Sequence, residues 1–144
     1  MKSLFHFFNV KGNQRWTNST RLLTKNSRLT WKQLGENIHM TGQATGQRVQ
    51  KLIDQGIIRR FTIDQHYDSI QFITIYKSSS DYRGFEQMIA ENPSCIEAHN
   101  ISGDGCYLLK ACFPDVQNLD EFCTQLLRFG RYKVNSSIWQ LDCH

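Results

Sequence analysis

The chain has 144 residues, 40% of them hydrophobic and 21% charged, with a formal net charge of +4. This composition supports packed cores and excludes a disordered chain, and no apolar run approaches the roughly twenty residues that a membrane span requires. The charge is divided: residues 1–64 hold 11 Lys and Arg against 3 acidic residues, a balance of +8, whereas residues 65–144 hold 6 against 10, a balance of −4.

That break predicts two domains, 1–64 and 65–144, the first suited to a polyanion such as nucleic acid. Met1–Val10 has several Phe and one Lys but neither a continuous apolar core nor a small-residue cleavage site, so it does not read as a signal peptide. The five cysteines, Cys95, Cys106, Cys112, Cys123 and Cys143, are odd in number and form no C-x-x-C. A disulfide framework is not expected, and a reducing cytoplasm fits. Cys143 and His144 adjoin, but two ligands do not make a metal site, and no metal or other cofactor is expected.

In chain order, Asn26 and Ser27 interrupt the run after Leu22 and Leu23. Thr30 with Gln33 three residues on has the form of a capping box, and Trp31, Leu34 and Ile38 give one apolar helical face. Thr41 is the next cap, for a helix running to about Gln55. Thr45, Val49, Leu52 and Ile53 fall on one side of it, and Gln43, Gln47, Gln50 and Lys51 largely elsewhere. Gly56 is placed to end it in the left-handed conformation. Ile57 and Ile58 lead into Arg59–Asp64, where Phe61 and Ile63 alternate with polar residues as in a strand.

Two short helices joined by a tight turn, the second rich in Gln and Arg, make a helix-turn-helix. Such a helix docks its N-terminus in the major groove of double-stranded DNA, where Gln bonds adenine and Arg bonds guanine. Thr41, Gln43, Gln47, Arg48, Gln50, Lys51, Arg59 and Arg60 are the candidate DNA-binding residues, the glutamines for base edges and the cations for phosphates or for orienting the helix. Arg48 has a second reading as a structural group bonding within its own domain.

The acidic half begins with a strand over Ile70–Tyr76 and a helix bearing Tyr82, Phe85, Met88 and Ile89, stopped by Asn92-Pro93. Strands follow over Cys95–Ser102 and Tyr107–Phe113, either side of a Gly103-Asp104-Gly105 turn. Leu119, Phe122, Cys123, Leu126 and Leu127 have amphipathic helical spacing, and a fourth strand is expected over Val134–Leu141. The order βαββαβ is ferredoxin-like, so the fold class is α+β: a winged-helix-like helix-turn-helix domain followed by a ferredoxin-like domain. Right-handed crossovers put both helices on one sheet face. Ile70, Phe72 and Tyr76 oppose Ile73 and Ile75 on the first strand, so the other face reads as apolar and as a dimer surface.

Asn26-Ser27-Arg28-Leu29-Thr30, Leu34-Gly35, Thr41, Arg48-Val49, Leu52, Gly56-Ile57-Ile58 and Ile63-Asp64, then Gly103 and Tyr107-Leu108-Leu109, resemble the Lrp/AsnC family of transcription regulators over roughly residues 20–142. The resemblance implies a DNA-binding domain joined by a strand-like hinge to an effector-binding and oligomerisation domain. It implies homodimers, often octamers, and an amino acid or other small molecule bound near the glycine turn, here Ser102, Gly103, Asp104, Gly105, Cys106 and Tyr107.

Three departures stand out. Cys106 occupies the turn's usual acidic position, and Asn13–Thr20 lacks the family's acidic, apolar opening, leaving Leu22 and Leu23 to pack. In the reading helix Thr45 replaces a buried Val, and Gly46 costs about 1 kcal/mol relative to Ala. The last two suggest a diverged or less stable DNA-binding half, or glycines that admit close approach to DNA. The alternative function is therefore a diverged interaction protein with weak or no DNA binding. An RNA-binding sheet is opposed by the acidic charge. A Cys106–His99 enzyme is opposed by the neighbouring Asp104 and Glu97, and no enzyme is expected.

Overall fold

The computed structural model describes residues 18–141, which fall into two compact units meeting between Asp64 and Gln65. The readings of Met1–Val10, of Asn13–Thr17 and of the Cys143–His144 pair lie outside the described residues.

The first unit holds α1 (Asn18–Lys25), α2 (Trp31–Ile38) and α3 (Gly42–Asp54). Its core is Leu23 of α1, Leu34 of α2 and Val49 of α3, flanked by Leu22, Leu29 and Ile58. Thr30 starts α2 with a complete capping box: the Gln33 amide N–H donates to its hydroxyl at 3.2 Å, and its own N–H donates to the Gln33 side chain at 2.9 Å. His39, at φ 57°, reverses the chain in the left-handed conformation, and the Met40 N–H closes on the Gly35 carbonyl at 2.9 Å. The helices then meet so closely that a Cβ on Gly35 would lie on the Met40 carbonyl and 2.8 Å from the Thr45 hydroxyl. Gly56, at φ 69°, ends α3 as its position suggests, with the Ile57 N–H bonding the Leu52 carbonyl at 2.9 Å.

The strand expected near Phe61–Asp64 is absent. Residues 59–68 form neither helix nor strand, Phe61 and Ile63 are 48% and 77% exposed, and no β-hairpin wing occurs among the described residues of this unit. Alternation alone marks an extended chain; a strand also needs a neighbour for its backbone groups.

The second unit comprises β1 (Gln71–Lys77), α4 (Tyr82–Glu91), β2 (Cys95–Asn100), β3 (Tyr107–Ala111), α5 (Val116–Leu126) and β4 (Gly130–Ser136). The sheet is fully antiparallel in the order β2-β3-β1-β4, the ferredoxin-like arrangement. Ile73, Ile75, Tyr107, Leu109 and Ala111 pack against Phe85 and Ile89 of α4 and Phe122 and Leu126 of α5, so both helices cover one face. Phe85 bridges Tyr107 and Phe129 at ring separations of 4.7 and 5.4 Å. Each such fully buried side chain contributes about 1.5–3 kcal/mol.

Strands β2 and β3 stop earlier than expected, at Asn100 and Ala111. The fourth strand is displaced from Val134–Leu141 to Gly130–Ser136, because β1 exhausts its pairing between Gln71↔Ser136 and Lys77↔Gly130. Ile138, Trp139 and Leu141, read as strand for their apolar character, lie beyond it at 95%, 70% and 65% exposure.

The face opposite the helices is also more polar than expected. Register sets Phe72, Thr74 and Tyr76 beside Asn135, Lys133 and Arg131 of β4, and sets Phe72 and Thr74 beside Lys110 and Leu108 of β3. Glu97 and His99 of β2 continue two of these rows. An apolar strip around Phe72 and Leu108 is thus flanked by charge, a pattern invisible from one strand's alternation.

Candidate functional site

Thr41 adopts extended backbone and accepts the Ala44 N–H at 3.2 Å, which fixes where α3 begins. From that start, Thr45, Val49 and Leu52 are buried and Gln43, Gln47 and Gln50 are exposed. The glutamines follow i, i+4, i+7 spacing and so form one stripe opposite the buried face. Asp54 extends the stripe and accepts the Gln50 side-chain N–H at 2.9 Å. Gln50 is therefore committed within the helix where Gln43 and Gln47 are not, a coupling that i, i+4 spacing would have signalled.

Arg48 and Lys51 flank the stripe and are exposed, as are Arg59 and Arg60 beyond Gly56. Among the described residues none of the four cations makes an ion pair. The structural reading of Arg48 reduces to a 4.0 Å contact of its guanidinium with the Met40 sulfur.

The two oddities of α3 have packing explanations. Thr45 is fully buried, yet its hydroxyl donates to the Thr41 carbonyl at 2.8 Å, so no polar group is left unmet. A Cβ on Gly46 would lie 3.2 Å from the Trp31 ring, and one on Gly42 3.4 Å from the Lys32 backbone. Both glycines face α2. That packing accounts for Gly46, whereas a Cβ on Gly42 would make only ordinary contact.

The turn residues do not converge on one pocket. Gly103 and Gly105 have φ of 106° and 100°, and a Cβ on Gly105 would lie 2.5 Å from the Thr74 methyl. Ser102, Gly103 and Asp104 are exposed. The Tyr76 hydroxyl donates to the Asp104 carboxylate at 3.1 Å, and that bond pushes the phenol above its ordinary range. Asp104 is thus already partnered. Tyr107 points to the helix side and donates to Glu86 at 2.6 Å, which raises its phenol in the same way. There it lines a groove of about 280 Å3 between α4 and β2, with Phe85, Ile89, Ala98 and Asn100. The Cys106 thiol lies 4.0 Å from the Lys77 carbonyl, and His99 pairs with Glu97 at 2.7 Å, so the nucleophile and base weighed from the sequence are each engaged elsewhere. Among the described residues no group of three His, Cys, Asp or Glu is placed to hold a metal. None of the described helices is long and apolar enough to cross a membrane.

An exposed polar stripe on the second helix of a helix-turn-helix, with free cations at its flanks, defines a nucleic-acid-binding class of protein. Residues 21–59 match the winged helix-turn-helix DNA-binding model, and residues 70–139 match the Lrp/AsnC ligand binding domain. The chain is similar to the HTH-type transcriptional regulator LrpB of Bacillus subtilis, 36% identical over 129 residues, covering 86% of this chain and 87% of LrpB. It is 40% identical over 119 residues to LrpA of the same organism, covering 78% and 88%. The fold is shared with B. subtilis LrpC, with a TM-score of 0.82 at 22% identity, covering 92% of this chain and 98% of that one. It is shared also with a transcriptional regulator of Neisseria meningitidis in complex with L-Met, with a TM-score of 0.77 at 20% identity, covering 90% and 92%. The chain belongs to the Lrp/AsnC family of transcriptional regulators. It is a helix-turn-helix regulator with a ligand-binding domain, in a family of DNA-binding proteins rather than enzymes.

Proposed function

We propose that this regulator reads double-stranded DNA with the N-terminal turns of α3. Gln43 and Gln47 address base edges, Gln50 does so on release from Asp54, and Thr41 fixes the start of the helix. Arg48, Lys51, Arg59 and Arg60 hold phosphates. The observation that carries this reading is the glutamine stripe lying opposite Thr45, Val49 and Leu52, with Arg48 and Lys51 unpaired beside it and Arg59 and Arg60 unpaired beyond Gly56. The packing of Thr45 and Gly46 supports an intact α3 and so weighs against a purely interacting protein without DNA affinity.

The working unit is a homodimer formed through the open sheet face, where Trp139 and Phe72 line a shared groove with Ile70 and Lys110. Octamers are assemblies of such dimers. A small molecule, an amino acid in the first instance, is sensed near Ser102–Tyr107, and the protein acts in the cytoplasm. Tyr76 already occupies one oxygen of Asp104 and leaves the other open to an effector amine, so Tyr76→Phe frees both and is expected to sharpen an amino-acid response.

Selection from random duplexes at near-physiological salt tests the DNA reading. A recovered consensus supports it, and with that duplex Lys51→Ala is expected to reduce the slope of log affinity against log salt by about one. Recovery of no duplex, at any salt, would sink it.

A further inference from the structure

We infer that Trp31 belongs to the DNA-contacting surface: its indole, laid on α3 at Gly46, meets the duplex backbone beside the groove that α3 enters. The inference rests on α3 being the reading helix.

Gly42 and Gly46 are one turn apart, and a Cβ on them would lie 3.4 Å from the Lys32 backbone and 3.2 Å from the Trp31 ring. The first residues of α2 are therefore bedded on the first turns of α3, and the two helix N-termini lie together. Neither helix has an acidic residue in its first turn. Both ends present free N–H groups and the positive pole of the helix dipole, with Lys32 exposed beside them. In helix-turn-helix docking the reading helix enters the groove by its N-terminus while the preceding helix crosses the backbone. Trp31, the first residue of α2, stands where those two contacts adjoin.

Trp31 is 42% exposed, and the core of this unit is built without it. Packing on Gly46 requires only an apolar body; a leucine would serve. The indole adds a flat ring and an N–H, and among the described residues that N–H has no hydrogen-bond partner. Gly46 is three residues after Gln43 and four before Gln50, so the ring laid on it borders the glutamine stripe. From there the N–H donates to a phosphate oxygen and the ring edge packs on deoxyribose. These contacts set the depth of α3 in the groove and carry no base information. Gly46 is the residue that makes room for this arrangement.

The test uses full-length wild type and its Trp31→Phe variant, so that the difference between their tryptophan emissions reports on Trp31, with a duplex selected by the wild type. Adding the duplex is expected to quench Trp31 emission and shield it from acrylamide; unchanged accessibility in the complex overturns the inference. Separately, Trp31→Phe in the otherwise native chain is expected to weaken selected and random duplexes alike by about tenfold or more. Its thermal midpoint and its ratio of selected to random affinity stay near wild type; wild-type affinity in this variant also overturns the inference. Failure of the wild type to select any duplex removes the α3 reading itself. Loss of discrimination in Gln47→Ala with Trp31 still open to quencher removes only the role given to Trp31.

Discussion

Gly35→Ala separates two opposed effects by sign. In an exposed helix the change is favourable by about 1 kcal/mol, because alanine loses less backbone entropy than glycine. Here the new Cβ falls on the Met40 carbonyl and 2.8 Å from the Thr45 hydroxyl. Neither neighbour yields freely. The Met40 carbonyl belongs to the turn, the Met40 N–H is held by Gly35 itself at 2.9 Å, and the Thr45 hydroxyl is tied to Thr41 at 2.8 Å. Relief requires moving α2 off α3, at the expense of Leu34 and Val49, which are 0% and 1% exposed. Overpacking of this kind costs about 1–3 kcal/mol and takes the upper end where backbone must shift. Set against the propensity gain, the net expectation is a loss of about 1–2 kcal/mol, or roughly 5–15 °C in the melting of so small a unit. Urea and thermal unfolding followed by far-UV circular dichroism measure it. A Gly35→Ala protein more stable than wild type would refute the close crossing of α2 and α3.

Gly105→Ala meets both a φ of 100° and the Thr74 methyl at 2.5 Å, so about 2 kcal/mol or more of stability is expected to be lost on urea denaturation. The Asp115 carboxyl caps α5, and hydrogen bonds from the Asn118 side chain and backbone N–H hold it below its ordinary value near 3.8. A depressed carboxyl adds stability above its unfolded pKa and loses it as the pH falls through the folded value. The advantage of wild type over Asp115→Ala is therefore expected at neutral pH and should vanish in strong acid; an advantage independent of pH would contradict the cap. Burial pushes the Cys95 thiol up to about 11, so in a variant retaining only Cys95, alkylation by iodoacetamide should stay slow at pH 8 and accelerate only in strong alkali. Thr41→Ala removes the cap of α3 and is expected to cost about 1 kcal/mol, with DNA affinity falling as the first turn frays.

Much of the fold was legible because local chemistry and tertiary structure agree. Thr30 with Gln33, Thr41 and Gly56 mark helix ends by hydrogen bonds made within a few residues, and all three function as they read. The second unit's order of strands and helices followed from alternation and amphipathic spacing. What escaped depended on distant partners. Arg131 and Lys133, which precede the expected strand, resemble a loop until Tyr76 and Thr74 appear beside them, and the apolar Ile138 and Trp139 resemble a strand until β1 runs out of pairing positions. Phe61 and Ile63 alternate without a partner strand among the described residues. In α3, Thr45 and Gly46 look like defects until Thr41 and Trp31 supply their reasons. The glycine turn was visible by its residues, but not the opposite directions in which Asp104 and Tyr107 bond.

If the exposed glutamine stripe of α3 reads base edges, Gln47, which like Gln43 is exposed and makes no bond to Asp54, must contribute to that reading. The direct measurement compares wild type and Gln47→Ala on a duplex selected by the wild type and on a random duplex of equal length, at one fixed salt concentration. Gln47→Ala is expected to keep its affinity for random DNA and to lose about 1–3 kcal/mol of preference for the selected duplex. An unchanged preference, or an equal loss on both duplexes, would contradict it.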